Sequence, residues 1–164
     1  MIWWESMIKI MFVCHGNICR SPMAEFVLKD MVKNQGMDDR FIIASAATST
    51  EEIGNPVHIG TKKKLAEHGI SVDGKYVVQL KKSDYENYDY IIAMDSFNIK
   101  NIIRIIVQDT DKKVSRLLDF SDNPRDIADP WYTGNFDDTY NDVKEGCEAL
   151  LKYVFEVAII DFVN

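Results

Sequence analysis

Short continuous runs of hydrophobic residues alternate along the chain with stretches in which apolar positions recur every three to four residues. The continuous runs are typical of strands buried on both faces and predict four of them: residues 8–13, 41–44, 90–94 and 113–118. The periodic stretches predict helices: residues 21–34, from Asn55 to a stop at Gly69, 96–107, and from about Asp137 onward. This alternation predicts an α/β fold of three layers, a four-stranded parallel sheet flanked by helices on both faces.

Residues 119–135 show neither periodicity and are predicted to form a long loop. Ligands of open parallel sheets bind at the carboxyl ends of the strands, so function is expected in the loops that follow them. A length of 164 residues suits one core, and we expect a single domain over residues 7–164. Residues 1–6 are expected to be an N-terminal extension without the features of a secretory signal.

Composition and charge exclude several classes of protein. The net charge of −7 and the lack of a Lys/Arg cluster argue against binding to nucleic acid. No run approaches the ~18 apolar residues of a membrane span. Three cysteines at irregular positions do not form a disulfide framework, which favours the cytoplasm. Cys14, His15 and Cys19 lack the paired spacing and the fourth ligand of a zinc site, so we expect no metal.

The most informative segment directly follows the first predicted strand. We call it the phosphate-binding loop: Cys14, His15, Gly16, Asn17, Ile18, Cys19 and Arg20. Five residues between a cysteine and an arginine let the backbone curl round one tetrahedral oxyanion with its N–H groups pointing inward. Gly16 and Asn17 tolerate the positive φ that such a loop needs. The segment therefore predicts a phosphate site with a thiol at its base and a guanidinium at its top.

The residues of this loop suggest a mechanism. Cys14 is the predicted nucleophile, because a helix N-terminus and Arg20 lower the pKa of its thiol, and its attack on phosphorus gives a phosphocysteine. Arg20 is predicted to hold two phosphate oxygens in a fork that lysine cannot copy. Ser21 is expected to donate its hydroxyl to the Cys14 sulfur, to cap the next helix, or both. Cys19 either pairs with Cys14 under oxidation or only fills space.

Departure of a phenolate or alkoxide from phosphorus needs a proton, so the site also needs an acid. The segment Asp129–Tyr132 reads Asp-Pro-Trp-Tyr and would set a carboxylic acid beside a flat apolar slot. An Asp-Pro pair by itself commonly marks only a turn. Spacing alone does not decide among the carboxylates of this loop: Asp119, Asp122, Asp126 and Asp129.

In combination, several motifs resemble those of the low-molecular-weight protein tyrosine phosphatases. In chain order they are Cys14-x5-Arg20-Ser21-Pro22, Ser45-Ala46-Ala47-Thr48-Ser49, Ile53-Gly54-Asn55-Pro56, His68-Gly69-Ile70, Ala93-Met94-Asp95 and Asp129-Pro130-Trp131-Tyr132. The likeness covers nearly the whole chain from about Met7. It implies the fold predicted above and a phosphomonoesterase without metal or cofactor that acts in two steps. Its substrates would be tyrosine-phosphorylated proteins or small aryl phosphates, and we expect a monomer.

The resemblance also implies roles for individual residues. Cys14 matches the family's nucleophile, and Asp129 matches its general acid, which later acts as a base. Asn17 matches a residue that holds the strained loop through hydrogen bonds, with Ser45 at the position of its partner. The pair Trp131–Tyr132 matches an aromatic wall that grips the phosphotyrosine ring.

Three positions depart from the family's pattern. Glu51 stands where the family usually has an aromatic residue opposite the wall, so the slot would meet an incoming dianion with negative charge. Lys75 lies in the region where the family often has a histidine that bonds the loop asparagine, and a lysine cannot accept a hydrogen bond. Ala44 replaces an aspartate before the Ser-Ala motif. Because the family needs no histidine base, His15 is interpreted as a variable loop residue.

Two other functions remain open from the sequence. An arsenate reductase on the same scaffold needs further cysteines to relay a disulfide, and none lies between Cys19 and Cys147. A phosphotyrosine- or oxyanion-binding module without turnover would suit Glu51 but not the retention of a complete set of catalytic candidates. Hydrolysis of p-nitrophenyl phosphate in the presence of EDTA would distinguish an enzyme from such a module.

Overall fold

Four parallel strands form one sheet within residues 7–163, the part of the chain that this computed structural model describes. They are β1 (Ile8–Cys14), β2 (Phe41–Ala47), β3 (Tyr90–Ala93) and β4 (Val114–Arg116), in the spatial order β2-β1-β3-β4. All three pairings are parallel, which confirms the predicted sheet. The N-terminal extension predicted for residues 1–6 lies outside the described residues.

Over the same range the α-helices are α1 (Arg20–Asn34), α2 (Ile59–Ala66), α3 (Asp84–Asn87), α4 (Ser96–Ile106), α5 (Pro130–Thr133) and α6 (Phe136–Val163). Successive residues of a strand face opposite sides of the sheet. Ile10 and Phe12 of β1 therefore pack in one core with α1 and α6, whereas Met11 and Val13 pack in a second core with α4. Helices on both faces confirm the three-layer prediction. None of the helices described is both long enough and apolar enough to cross a membrane.

The second predicted helix begins later than its sequence indicated. Asn55 and Pro56 lie in an extended segment, where the Val77 N–H donates to Asn55 O (2.9 Å) and Pro56 pairs with Tyr76 in an antiparallel bridge. The helix, α2, starts only at Ile59. The local Asn-Pro signal for a helix start was overridden by pairing with a segment some twenty residues further along the chain.

The fourth strand is shorter than predicted, and the loop after it is more structured. The predicted strand over 113–118 is cut to β4 because the chain turns into a 3₁₀-helix at Leu117–Phe120. The Asp119 side chain accepts a hydrogen bond from the Arg116 N–H (2.8 Å) and stabilises this turn. The loop that follows contains the short helix α5, whose N-cap is Asp129.

The loop after β4 returns to the carboxyl edge of the sheet. The Ile127 N–H donates to Met94 O, one residue beyond β3 (2.9 Å), and the Ile127 side chain is fully buried. This contact brings Asp129 to the edge at which β1 ends with Cys14. The two halves of the predicted site, which are far apart in sequence, therefore meet in the fold.

Candidate active site

The phosphate-binding loop folds around the Cys14 sulfur. Cys14 is the last residue of β1 and is 3% exposed. Its Sγ accepts a hydrogen bond from the Asn17 N–H (3.2 Å), and Ser21 Oγ lies 3.1 Å from it. Asn17 has a φ of 57°, the left-handed conformation predicted for it. Gly16 is not among the residues with positive φ, so only Asn17 of the two adopts the conformation that both tolerate.

The Asn17 side chain fixes the loop from beneath. Its Nδ2 donates to Ser21 Oγ (2.7 Å) and to Ser45 Oγ (2.9 Å), while its Oδ1 accepts from the Val78 N–H (3.4 Å). The Asn17 and Ser45 side chains thus make the contact that the family resemblance implied. Because Asn17 is completely buried, this network is shielded from competing water.

A buried charge pair lies behind Ser45. Glu25, 4% exposed, accepts a hydrogen bond from Ser45 Oγ (2.5 Å) and lies 3.5 Å from Lys75 Nζ. Lys75 Nζ also donates to Ser45 O (2.8 Å), and Lys29 donates to the other Glu25 oxygen (2.6 Å). Burial lowers the pKa of Lys75, against the opposing effect of Glu25. Lys75 therefore supports the loop through Ser45 and Glu25, and it needs no acceptor to do so.

These contacts fix the direction of a hydrogen-bond chain. A carboxylate only accepts, so Ser45 donates to Glu25 and accepts from Asn17. The second Asn17 Nδ2 hydrogen goes to Ser21, whose own proton is then free to point at the Cys14 sulfur. A hydrogen bond donated to sulfur favours the thiolate over the thiol.

Arg20 connects the loop to the rest of the site. It is the first residue of α1 and is 2% exposed. Its NH1 donates to Asp95 Oδ2 (2.6 Å) and to Ile127 O (2.9 Å), and its NH2 donates to Asp129 Oδ2 (3.3 Å). Burial lowers the pKa of Arg20, but negative charge on Cys14, Asp95 and Asp129 outweighs burial and raises it. Arg20 therefore stays protonated in the interior.

The structure separates the four candidate acids. Asp119 and Asp126 accept hydrogen bonds from Arg116 (2.9 and 3.0 Å), and Asp122 lines a different surface cleft. Only Asp129 of the four lines the pocket that contains Cys14. Its Oδ1 accepts from the Trp131 N–H (3.0 Å), which caps α5. The spacing left the four aspartates equivalent, whereas the fold places Asp129 beside Cys14 and Arg20.

One pocket joins the predicted phosphate and aryl sites. Its lining comprises Cys14, His15, Gly16, Ile18, Cys19, Arg20, Glu51, Glu52, Asp129, Trp131 and Tyr132. The two aromatic residues are 59% and 83% exposed, so they stand at the mouth rather than in the core. Glu51 also lies at the mouth, with its side chain 68% exposed and its Oε2 3.2 Å from His15 Nε2. The mouth thus combines an aromatic surface with a carboxylate.

The other two cysteines are held as neutral thiols. Burial, with smaller effects of Cys14 and Asp129, raises the pKa of Cys19 to about 12. Burial also raises the pKa of Cys147, a residue of α6 that packs in the core against Ala24 of α1. All three cysteines of the chain are free and buried. Of the three, Cys147 does not line the pocket.

Sequence reasoning missed several residues that the structure brings to the site. Asp95 was quoted only as part of a motif, although its N-cap position before α4 already placed it at the end of β3. Glu25 and Lys75 were given no supporting contacts, and the backbone carbonyl of Ile127 carries no sequence signal. A charged residue on the apolar face of α1 was the available hint for Glu25, because buried charges need partners.

Fold and site together define a cysteine-dependent phosphatase of the α/β class: a parallel sheet whose first strand ends in a thiol wrapped by an anion-binding loop. The sequence model of the family described as low molecular weight phosphotyrosine protein phosphatase matches residues 9–158. The chain belongs to this family.

Individual relatives agree with this assignment. The low molecular weight protein-tyrosine-phosphatase YfkJ of Bacillus subtilis is 42% identical over 147 residues, which cover 88% of this chain and 94% of YfkJ. The crystal structure of YfkJ superposes with a TM-score of 0.88 over 92% of this chain and 96% of that one, at 41% identity. The structure of SP-PTP, a low molecular weight protein tyrosine phosphatase from Streptococcus pyogenes, has a TM-score of 0.80 at 42% identity and covers 90% of this chain and 93% of its own.

Proposed function

We propose that this protein hydrolyses phosphotyrosine in proteins, and small aryl phosphates, through a phosphocysteine intermediate. The observation that carries the proposal is the environment of Cys14 Sγ, which lies 3.2 Å from the Asn17 nitrogen and 3.1 Å from Ser21 Oγ. Both contacts lie at the base of a pocket that Arg20 and Asp129 also line. A stabilised thiolate, a cation and an acid in one pocket suit transfer of a phosphoryl group.

In the first step the Cys14 thiolate attacks phosphorus, and an S–P bond forms as the bond from phosphorus to the aryl oxygen breaks. The electron pair passes to that oxygen, which takes a proton from Asp129. Backbone N–H groups of the phosphate-binding loop and the guanidinium of Arg20 stabilise charge on the phosphoryl oxygens. The products of this step are a free tyrosine or phenol and phosphocysteine.

The contact between Arg20 and Asp129 links phosphate binding to this acid. A phosphate dianion in the loop competes with Asp129 for the Arg20 NH2 group, whereas NH1 keeps Asp95 and Ile127 O as partners. A neighbouring dianion also favours protonation of a carboxylate. Substrate binding therefore favours uptake of a proton from solvent by Asp129, which then no longer pairs with Arg20 and can donate that proton to the leaving group.

In the second step a water molecule attacks the phosphocysteine, and Asp129 accepts the proton of that water. The S–P bond breaks, and its electron pair returns to the Cys14 sulfur, which becomes a thiolate again. Inorganic phosphate then leaves. The hydroxyl of Ser21, oriented by Asn17, stabilises that thiolate as it departs. The enzyme returns to its starting state without a metal or cofactor in this scheme.

We propose further that residues 7–164 act as one phosphatase domain, as a monomer in the cytoplasm and without nucleic-acid or membrane partners. Free thiols and a net charge of −7 support this setting. The arsenate reductase alternative is disfavoured because Cys147 is fully buried and does not line the pocket, so it cannot relay a disulfide outward.

Replacement of the nucleophile tests the proposal. Cys14→Ser should abolish hydrolysis of p-nitrophenyl phosphate in EDTA, while inorganic phosphate still binds, because the loop and Arg20 are kept. Cys147→Ala, a change far from the pocket, serves as the matched control and should retain turnover. Wild-type rates in Cys14→Ser would contradict the phosphocysteine scheme. A wild-type protein that binds phosphate esters without product would instead be a binding module.

A further inference from the structure

His58 is a residue to which the catalytic scheme assigns no role, yet it contacts both halves of the pocket. Its backbone N–H donates to Ile18 O in the phosphate-binding loop (2.9 Å). Its imidazole lies edge-on to the Trp131 ring, with the ring centres 5.8 Å apart and the planes at 81°. The main chain of His58 is thus tied to the phosphate site and its side chain to the aromatic wall.

The His58 ring is itself held in place on two other sides. Its Nδ1 accepts a hydrogen bond from the Gly60 N–H (2.9 Å) and so caps α2, which places the ring proton on Nε2. Its opposite contact is a parallel stack on Phe136, at 5.3 Å and 16°. Phe136 in turn lies against Gly60, where an added Cβ would clash with the ring. These contacts leave the imidazole one orientation.

A second hydrogen bond connects the start of α2 to the phosphate-binding loop. The Thr61 hydroxyl donates to Cys19 O (3.1 Å), and Thr61 is fully buried. The first turn of α2 therefore touches the phosphate-binding loop at two successive carbonyls, those of Ile18 and Cys19. Trp131, in contrast, is 59% exposed, and the His58 ring packs against one side of it.

We infer that His58 is a positioning residue that fixes Trp131 relative to the phosphate-binding loop and thereby sets the preference for aryl over alkyl phosphates. This inference rests on the proposed function only for the identity of the bound phosphoryl group. An aryl substrate spans from the loop to the wall, whereas a short alkyl phosphate reaches only the loop. Loss of the His58 ring should therefore weaken binding of aryl ligands selectively.

Two variants separate the ring of His58 from its capping atom. His58→Asn keeps a side-chain acceptor suited to an N-cap but removes the ring. His58→Phe keeps a ring against Trp131 and Phe136 but removes the acceptor. His68→Asn is a matched control, because His68 stacks on Tyr140 and its N–H donates to Leu65 O, whereas His58 contacts Trp131 and Ile18 O. The probes are phenylphosphonate and methylphosphonate, whose dissociation constants are measured by titration calorimetry and need no turnover.

His58→Asn should raise the Kd of phenylphosphonate about 2- to 10-fold, the value of one lost ring contact, and leave the Kd of methylphosphonate unchanged. His58→Phe should keep the wild-type ratio of the two constants but lower Tm, because the cap is lost. His68→Asn should change neither constant. In a Trp3→Phe/Trp4→Phe background, acrylamide should quench Trp131 more strongly in His58→Asn.

Several outcomes would overturn this inference. One is an unchanged ratio of the two dissociation constants in His58→Asn; another is an equal loss for both phosphonates. A third is a Kd of phenylphosphonate that rises as Tm falls across the variants, and rises more in His58→Phe than in His58→Asn. A purely structural role of His58 would give that result. A wild-type protein that binds both phosphonates but hydrolyses no p-nitrophenyl phosphate would contradict the proposed function, and the His58 comparison would still be decided.

Discussion

Asp129→Asn is the change that tests the proposed acid with the least disturbance to the pocket. Asparagine has nearly the same volume, and its side-chain oxygen can keep the cap on the Trp131 N–H, now at 3.0 Å from Oδ1. The variant loses two things. It can no longer donate a proton to the leaving group, and it lacks the negative charge that lies 3.3 Å from Arg20 NH2. The wall and the loop should remain in place.

The expected magnitude follows from these two losses. A positioned general acid accelerates reaction by roughly 10²–10⁴-fold, about 3–5 kcal/mol of barrier. Phenyl phosphate, whose leaving group needs the proton, should lose this amount in kcat/KM. p-Nitrophenyl phosphate should lose clearly less, because nitrophenolate is stable without a proton. Inorganic phosphate should inhibit at least as strongly as before, since one carboxylate no longer competes for Arg20.

The assay compares kcat/KM for the two substrates, because kcat/KM reports only the steps up to formation of the phosphocysteine. Asp122→Asn is the control, since Asp122 lines another cleft, and it should change neither substrate. An equal loss of kcat/KM for both substrates would refute the assignment of Asp129 as the acid. So would a large rise in the inhibition constant of phosphate, which would mean that Asp129 holds Arg20 in position instead.

Further predictions concern three other residues of the pocket, Arg20, Cys19 and Glu51. Arg20→Lys should lower kcat/KM at least about 30-fold (~2 kcal/mol) and weaken inhibition by phosphate, because one point charge replaces a fork buried among carboxylates; a rate near wild type would exclude a bidentate role. Because the pKa of Cys19 is about 12, disulfide formation with Cys14 after peroxide treatment should speed up about tenfold per pH unit between pH 7 and 9. Recovery of activity with dithiothreitol should be poorer in Cys19→Ser, and equal recovery would remove its protective role. Glu51→Tyr should lower KM for an aryl phosphate, most at low salt, and an unchanged KM at both salts would show that Glu51 does not face the substrate.

Much of the fold was predictable because its signals are local. The run at residues 8–13 is continuous and apolar, so it reads as a buried strand without knowledge of its neighbours. The phosphate-binding loop is likewise one contiguous segment, and its chemistry is visible in the spacing of Cys14 and Arg20. Asn55, in contrast, was misassigned because its backbone pairs with Val77, a partner that no local window contains.

The supporting parts of the site were less predictable, because their contacts join segments that are far apart along the chain. Asp95 and Ile127 reach Arg20 from two separate loops, and one of them contributes only a carbonyl oxygen. Lys75 left open how Asn17 is held, because a lysine cannot accept a hydrogen bond. It instead donates to a backbone oxygen of Ser45 and neutralises Glu25. Lys75 thus supports the loop as a hydrogen-bond donor and a cation, rather than as an acceptor for Asn17.

The two hydrogen bonds of Ile127 have a consequence for the timing of catalysis. Its N–H is bound to Met94 and its carbonyl to Arg20, so the backbone two residues before Asp129 is pinned between the sheet and the phosphate site. In enzymes with mobile lids, closure and reopening often limit the rate. Asp129 therefore follows backbone that is held by both the sheet and Arg20, and we expect the proposed acid to act without a closing motion. We therefore expect kcat to be insensitive to solvent viscosity, because the chemical steps rather than loop movement would limit the rate.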